Sequence, residues 1–196
     1  MTTLTFRYAR NFLLVALFLT ATRAISGSES DGKKSLGQIR FTTGHEDYQA
    51  EGEFKEWRFT RVDIPGGDLE KGTVEIEINL ASVSEKSPKL AQHLREPDFF
   101  FVEKFPKATL VISDVKKRKD GSFQAVALLD FHGLHKQMPL EFEVTSDKPL
   151  KITGWALLSR GAFNIGAPYQ KGKRRSILDE VRITFSITLP EALESE

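Results

Sequence analysis

Histidine is the first residue type in this sequence that could do chemistry, because imidazole binds metals and moves protons near neutral pH. His132 and His135 lie three residues apart, but a turn is predicted between them, and no carboxylate-rich ligand set accompanies them. We expect His132 to bond the backbone of that turn. His45 lacks a second histidine at the spacing of zinc proteases. We therefore predict no metal site.

Nucleophilic catalysis has no signature in the chain either. The sequence contains no cysteine, which excludes thiol chemistry and disulfides. It also lacks a Gly-x-Ser-x-Gly elbow and a phosphate-cradling glycine loop. We therefore predict no catalytic residues and no cofactor.

Three side chains could hold the acidic head group of an amphiphile. Arg160 is the strongest candidate, because a guanidinium offers a bidentate fork to carboxylate or phosphate. His93 and Arg95 are further candidates beside a cluster of phenylalanines. Two structural alternatives stay open: Arg160 could link to a strand carbonyl or carboxylate, and Arg95 could be a solvated helical charge.

Period-two alternation dominates the chain from Gly37 onward and predicts half-buried strands. The clearest examples are 73–83, 137–145 and 178–189. Asp120-Gly121 predicts a hairpin turn between two further strands, 108–116 and 122–132. Further candidates are 37–44, 48–54, 57–64 and 150–159, and from these nine stretches we expect about eight strands. Alternation alone leaves a barrel and a sandwich both open.

One segment departs from the strand pattern. Ser87 and Pro88 predict a helix start, and Pro97 predicts its end. A second short turn, capped by Asp98, then carries an apolar cluster of four phenylalanines: Phe99, Phe100, Phe101 and Phe105. This segment is interpreted as a lid packed over a barrel end or as a ligand gate.

The same segment carries a family likeness. Residues 92–106, which read QHLREPDFFFVEKFP, closely resemble the signature of the YceI-like family of lipid- and polyisoprenoid-binding proteins. Asp130 to Lys136 resembles the family's His-Gly turn, and Ser159 to Gly166 resembles its arginine-containing loop. The likeness covers about residues 37–189. Phe101 departs from it, since family members often carry aspartate there.

The resemblance implies an all-β fold: an extended eight-stranded antiparallel lipocalin-like β-barrel with a short helix near one opening. It also implies a long apolar ligand in the lumen, typically an isoprenoid or another amphiphile. The candidate lumen residues are Val74, Ile76, Ile78, Phe99, Phe100, Phe105, Phe142, Val144, Phe163, Ile183 and Phe185.

The N-terminus indicates export. Arg7 and Arg10 precede a short apolar run that ends in small residues, which is typical of a secretory signal peptide over 1–24. A linker over 25–36 and a barrel domain over 37–190 would follow. Removing three arginines and no acid takes the net charge from +1 to −2, which disfavours nucleic-acid binding. We expect a periplasmic or secreted bacterial protein.

These observations predict a protein that carries or stores a lipid in the cell envelope without covalent chemistry. An exported interaction module without lipid, paired with a membrane-associated redox or transport protein, is one alternative. A lipid-modifying isomerase or cyclase is another. An exposed phenylalanine-rich mouth would also favour a homodimer that covers it.

Overall fold

The computed structural model describes residues 36–45 and 47–190. The predicted signal peptide, and all of the predicted linker except Leu36, lie outside the described residues. No helix within the described part of the chain is long and apolar enough to cross a bilayer.

Ten strands and one α-helix make up the described domain. The first five strands are β1 (Gly37–His45), β2 (Tyr48–Phe54), β3 (Trp57–Asp63), β4 (Thr73–Asn79) and β5 (Val83–Glu85). Helix α1 (Pro88–Leu94) follows, and then β6 (Lys107–Lys117), β7 (Phe123–Phe131), β8 (Leu134–Asp147), β9 (Leu150–Ser159) and β10 (Glu180–Thr188). Short 3₁₀ turns lie at Pro65–Gly67, Leu69–Lys71, Leu80–Ser82 and Gly161–Phe163.

All ten strands form one antiparallel sheet in the order β3-β4-β6-β7-β8-β9-β10-β1-β2-β5. The two edge strands of this order, β3 and β5, are continuous along the chain with β2 and β4. β3 continues β2 after two residues, and β5 continues β4 after one 3₁₀ turn. At these bends the Lys55 N–H donates to the Ser82 carbonyl at 3.3 Å, and the Asn79 N–H donates to the Glu56 carbonyl at 3.0 Å. The ladder therefore closes on itself.

The predicted all-β barrel is confirmed, and the strand count is corrected. The predicted strand 73–83 is broken at Leu80–Ser82, and ten strands replace the predicted eight. The break has a local cause: the Asn79 side chain accepts the Ala81 N–H, which starts a 3₁₀ turn. If β2 with β3 and β4 with β5 are each counted as one bent strand, the barrel wall again has eight strands.

Helix α1 begins where the sequence predicts. The Ser87 hydroxyl accepts the Leu90 N–H at 3.4 Å, and Pro88 occupies the first turn. Ala91 and Leu94 are the buried residues of the helix. The Asp120-Gly121 turn also forms as predicted, with Gly121 at φ 90°, a value that glycine adopts without strain.

The barrel has two ends, which we name by their contents. The helix end carries α1, residues 97–106 and the loop after β9. The hairpin end carries the β6–β7 and β8–β9 turns together with residues 64–72. At the helix end, the Phe100 ring contacts Phe41, Phe54 and Phe131 from three strands, at centroid distances of 5.7–6.2 Å. This contact seats the phenylalanine-rich segment on the barrel.

Candidate functional site

A cavity of about 380 Å³ lies inside the barrel. Its wall draws side chains from every strand except β3, from α1 and from the segment that follows α1. Alternate residues of each strand point inward, so the wall is almost entirely hydrocarbon. Small residues help to leave the space open, since Ala108 and Ala156 line it. The volume falls in the range of small-molecule binding sites, about 300–1,000 Å³.

Polar side chains line only one end of this cavity. They are Thr43, His45, Tyr48, Glu85, His93 and Arg160, and all of them lie at the helix end. The hairpin end is lined by residues such as Leu69, Val115 and Ile152. The cavity is therefore apolar along its depth and polar at the helix end, which we call its mouth because the exposed Tyr48 and His93 line it there.

Most of the predicted lumen residues line the cavity. The structure places eight of them there: Val74, Ile76, Ile78, Phe99, Phe100, Phe142, Ile183 and Phe185. Their inward direction follows from strand alternation and, for the two phenylalanines after α1, from packing of the segment against the barrel. Whether these residues contact a ligand stays a prediction.

Three predicted lumen residues lie elsewhere. Phe105 packs against His132 in the turn after β7, with ring centroids 4.7 Å apart. Val144 sits in β8 next to a register shift, between the cavity-lining part of the strand and the β8–β9 turn. Phe163 is buried, but it packs on Phe131 in the core beside the cavity. Apolar character alone did not distinguish lumen from core.

Arg160 does not have the free fork that head-group binding requires. The residue is only 4% exposed. Four of its five N–H groups donate to main-chain carbonyls: Nε to Leu178 at 2.8 Å, Nη1 to Ile165 at 2.7 Å and Ala167 at 2.8 Å, and Nη2 to Ile177 at 2.6 Å. The structural alternative, a link to carbonyls, describes this arginine.

The environment of Arg160 acts on its pKa in two directions. Burial lowers the pKa of the guanidinium, and the Asp179 carboxylate acts in the opposite direction. Asp179 in turn accepts from the Ser159 hydroxyl at 2.6 Å and from the Gly161 N–H at 2.8 Å. The Ser159 bond is the main reason that the pKa of Asp179 lies below its ordinary value. Together these contacts fasten both ends of the loop between β9 and β10.

Arg95 is also a structural residue. Its Nε donates to the Ala81 carbonyl at 2.8 Å, and its Nη2 donates to the Val83 carbonyl at 2.7 Å. These bonds tie the end of α1 to the bend between β4 and β5, and Arg95 does not line the cavity. The prediction that it holds a head group, and the alternative of a solvated charge, are both replaced by this link.

His93 is the predicted polar residue that stays at the mouth. Its Nδ1 lies 2.6 Å from a Glu96 carboxylate oxygen, and its ring meets Phe99 edge-on at 4.8 Å. About half of the side chain is exposed. His93 thus presents an oriented imidazole between solvent and the cavity.

Sequence reasoning missed Tyr48, His45 and Glu85 at the same mouth. The His45 and Tyr48 rings are 5.7 Å apart across the β1–β2 connection, and Tyr48 is 51% exposed. A tyrosine beginning a strand next to a histidine is an amphipathic pair that could have marked a mouth. As a sequence marker this pair is weak, because it indicates a mouth only when one knows which turns lie at the same end of the barrel.

The predicted bond of His132 has a different partner. Its Nδ1 lies 2.9 Å from the carbonyl of Phe163, in the loop after β9, and not from its own turn. Its Nε2 is buried without a partner among residues 36–45 and 47–190. Within the same residues, no group of three or more His, Cys, Asp or Glu side chains could hold a metal ion.

Comparison with known proteins gives a family match along most of the chain. The sequence profile of the YceI-like domain matches residues 32–189. A UPF0312 protein of Yersinia pestis is 32% identical over 139 residues, which cover 67% of this chain and 69% of that protein. The chain spans 58% and 37% of the length of two other UPF0312 relatives, from Shewanella denitrificans and Yersinia enterocolitica.

Solved structures share the fold at low sequence identity. BcnA of Burkholderia cenocepacia superposes with a TM-score of 0.70 at 20% identity, covering 79% of this chain and 96% of BcnA. A polyisoprenoid-binding domain from Saccharophagus degradans, implicated in plant cell wall breakdown, superposes with a TM-score of 0.55 at 14% identity. That match covers 79% of this chain and 94% of the other domain.

Proposed function

The chain belongs to the YceI-like domain family, and on that premise we propose that it binds one long amphiphilic lipid, of isoprenoid type, inside its barrel. The hydrocarbon tail occupies the cavity, and the head group lies at the helix end. The protein carries or stores this lipid in the bacterial cell envelope and performs no covalent chemistry on it.

One observation carries this proposal: the cavity is hydrocarbon along its depth and polar at a single mouth. An apolar cavity of this kind gains nothing from water, because water needs about two to four polar partners. A tail of about ten buried methylenes would contribute about 8 kcal/mol at roughly 0.8 kcal/mol each, before ordering costs. Burial alone is therefore sufficient for useful affinity.

The polar mouth supports an oriented ligand. Tyr48, His93 and Glu85 lie where a head group would emerge, while Arg160 and Arg95 are engaged with backbone carbonyls. An alcohol, a quinone or a weakly polar head fits this set better than a head that needs a bidentate arginine. The Saccharophagus domain, described as binding polyisoprenoids, supports the isoprenoid class through its shared fold.

The envelope location rests on the sequence. The predicted signal peptide supports export, and the absence of cysteine fits a bacterial periplasm better than an animal extracellular space. Fractionation of cells that express the full chain tests this part: a shortened protein in the periplasm or medium is expected, and a full-length cytoplasmic protein would contradict it.

Ligand extraction tests the binding. We expect the exported protein, purified without detergent and extracted with organic solvent, to release about one lipid per chain, as mass spectrometry can measure. Ala156→Phe places a ring inside the lumen, and Leu157→Phe adds one to the outer face of the same strand. The new ring at position 156 should cut lipid retention by at least about tenfold, because it removes the space for the tail, while the outer substitution should leave retention unchanged.

Each outcome decides between functions. A folded wild-type protein that releases no lipid would contradict the proposal and favour an interaction module. Full retention by folded Ala156→Phe would place the lipid outside the lumen. Conversion of an added lipid to a product would favour an isomerase or cyclase. If Ala156→Phe does not fold, Ala108→Phe replaces it, since Ala108 lines the same cavity.

A further inference from the structure

The loop between β9 and β10 carries a concentrated positive charge at the mouth of the cavity. Residues 166–177, which we call the basic loop, include four cations within five residues: Lys171, Lys173, Arg174 and Arg175. The same stretch contains no acidic residue. All four side chains are exposed, and the ion pairs found within the described residues involve other side chains.

The fold holds this loop at the helix end. Ile165 and Ile177, on either side of its tip, both line the cavity. Arg160 donates to the carbonyls of both residues, so a single guanidinium clamps the two ends of the loop together. The Leu178 N–H donates to the Gly44 carbonyl at 2.7 Å, which joins the loop to β1 beside the mouth.

The loop itself is ordered by its own hydrogen bonds. The Gln170 N–H donates to the Ser176 hydroxyl at 2.8 Å, and the Lys173 and Ser176 N–H groups donate to carbonyls within the loop. The four cations therefore project from a defined surface next to the cavity.

Exposed apolar side chains lie on the same surface. Only four large apolar residues of the described chain are well exposed, and two of them, Tyr48 at 51% and Leu178 at 37%, belong to the helix end. Of the nearby carboxylates, Glu85 accepts from the Ser87 N–H, and Asp179 accepts from Ser159 and Gly161. Asp98 and Glu180 are exposed acids beside the loop, so the four cations outnumber them by two. Cations next to exposed apolar groups match the interface of an anionic bilayer.

We propose that the basic loop docks the mouth of the barrel onto anionic phospholipid membranes, so that lipid passes between bilayer and cavity without crossing water. This inference rests on the proposed lipid-binding function and adds its partner surface. Lipid head-group phosphates supply the negative charge, and Tyr48 and Leu178 contact the interfacial layer.

Vesicle flotation tests the docking independently of any lipid in the lumen. The vesicles contain either phosphatidylglycerol and phosphatidylcholine in equal parts, or phosphatidylcholine alone. The full exported chain should float with the anionic vesicles and not with the neutral ones. High salt should release it, since added ions screen exposed charges.

Two matched triple variants locate the charge. Lys171→Gln, Lys173→Gln and Arg174→Gln together remove three charges from the basic loop; Arg175 is left in place because its φ is 65°. Lys116→Gln, Lys117→Gln and Lys119→Gln remove three charges from the β6–β7 hairpin, at the other end of the barrel. We expect the loop variant to bind anionic vesicles at least about tenfold more weakly, and the hairpin variant to bind like wild type.

The outcomes separate the two proposals. If both triple variants bind anionic vesicles equally weakly, the basic loop is not the docking surface. The same conclusion follows if the wild-type protein floats only with neutral vesicles. Release by inorganic phosphate but not by chloride at equal ionic strength would indicate a discrete anion site instead of a membrane surface. If extraction shows bound lipid but flotation fails, the docking inference is wrong and the lipid-binding function stands.

Discussion

Replacing Arg160 by alanine removes a buried guanidinium that donates to four main-chain carbonyls, one in a buried hydrogen bond and three in partly buried ones. A buried acceptor left without a partner costs about 1–3 kcal/mol. The four carbonyls belong to the loop after β9 and regain some water if the loop opens, so we take the lower end of that range. The expected loss is then about 4 kcal/mol, a large part of the roughly 5–15 kcal/mol typical of a whole domain.

Two measurements separate a global from a local effect. Urea unfolding gives the change in the free energy of unfolding, with Arg40→Ala as control, because the ion pair of Arg40 with Glu53, at 4.0 Å, is exposed. That control should change stability by less than about 1 kcal/mol. Trypsin reports on the loop, since Lys171, Lys173, Arg174 and Arg175 are its cleavage sites. Arg160→Ala should unfold at lower urea, or be cut faster in the basic loop, or both.

The opposite result would restore the head-group interpretation. Suppose that Arg160→Ala unfolds like wild type, resists trypsin like wild type and loses affinity only for lipids with acidic heads. The guanidinium would then act on ligands and not on the four carbonyls. Arg160→Lys should fall between wild type and alanine, because an ammonium cannot reach all four acceptors from one position.

Two further predictions concern a carboxylate placed in the lumen and a carboxylate of the loop between β9 and β10. Ile78→Asp places an unpaired carboxylate in the apolar lumen and should abolish lipid retention; Glu75→Gln on the same strand is the control, and lipid retained by a folded Ile78→Asp protein would show that this position does not contact the tail. The pKa of Asp179 is lower in the folded state than in the unfolded state, so the ionised carboxylate stabilises the fold. This contribution to the free energy of unfolding is fully present above the unfolded pKa of about 3.9. It is lost as the pH falls from there through the lower folded pKa. Asp179→Asn should therefore reduce stability at pH 7 and make a smaller difference at pH 3, as thermal melts at the two pH values can show; an equal difference at both would contradict the charge-based role.

Local patterns in the sequence predicted most elements of the fold, but not the break at Leu80–Ser82 that divides the strand 73–83. The alternation in β4, β8 and β10 marked strands because neighbouring side chains of a strand point to opposite faces. Ser87 with Pro88 marked the start of α1, and Asp120-Gly121 marked a hairpin, because caps and tight turns depend on a few adjacent residues. The barrel itself came from the family resemblance, since alternation alone left a sandwich open.

The roles of the polar side chains depended on the tertiary structure. Arg160 reaches carbonyls 5–18 residues away, and Arg95 reaches carbonyls 12–14 residues back in the chain, so their partners exist only after the loops have packed. Phe163 and Val144 are apolar in the same way as Phe142, but neither lines the cavity. Phe163 lies in the loop after β9 and packs on Phe131, and Val144 lies next to a register shift in β8.

The order of neighbouring residues in the sequence is enough to determine which residues alternate and where the chain turns. It also determines that the interior is hydrocarbon. The set of groups that meet at one mouth follows instead from barrel closure, which brings distant turns to the same end and so gathers Tyr48, His93 and the basic loop. The partners of a long side chain such as Arg160 are the groups close to it in space, and the pairing and bending of the strands decide which groups those are.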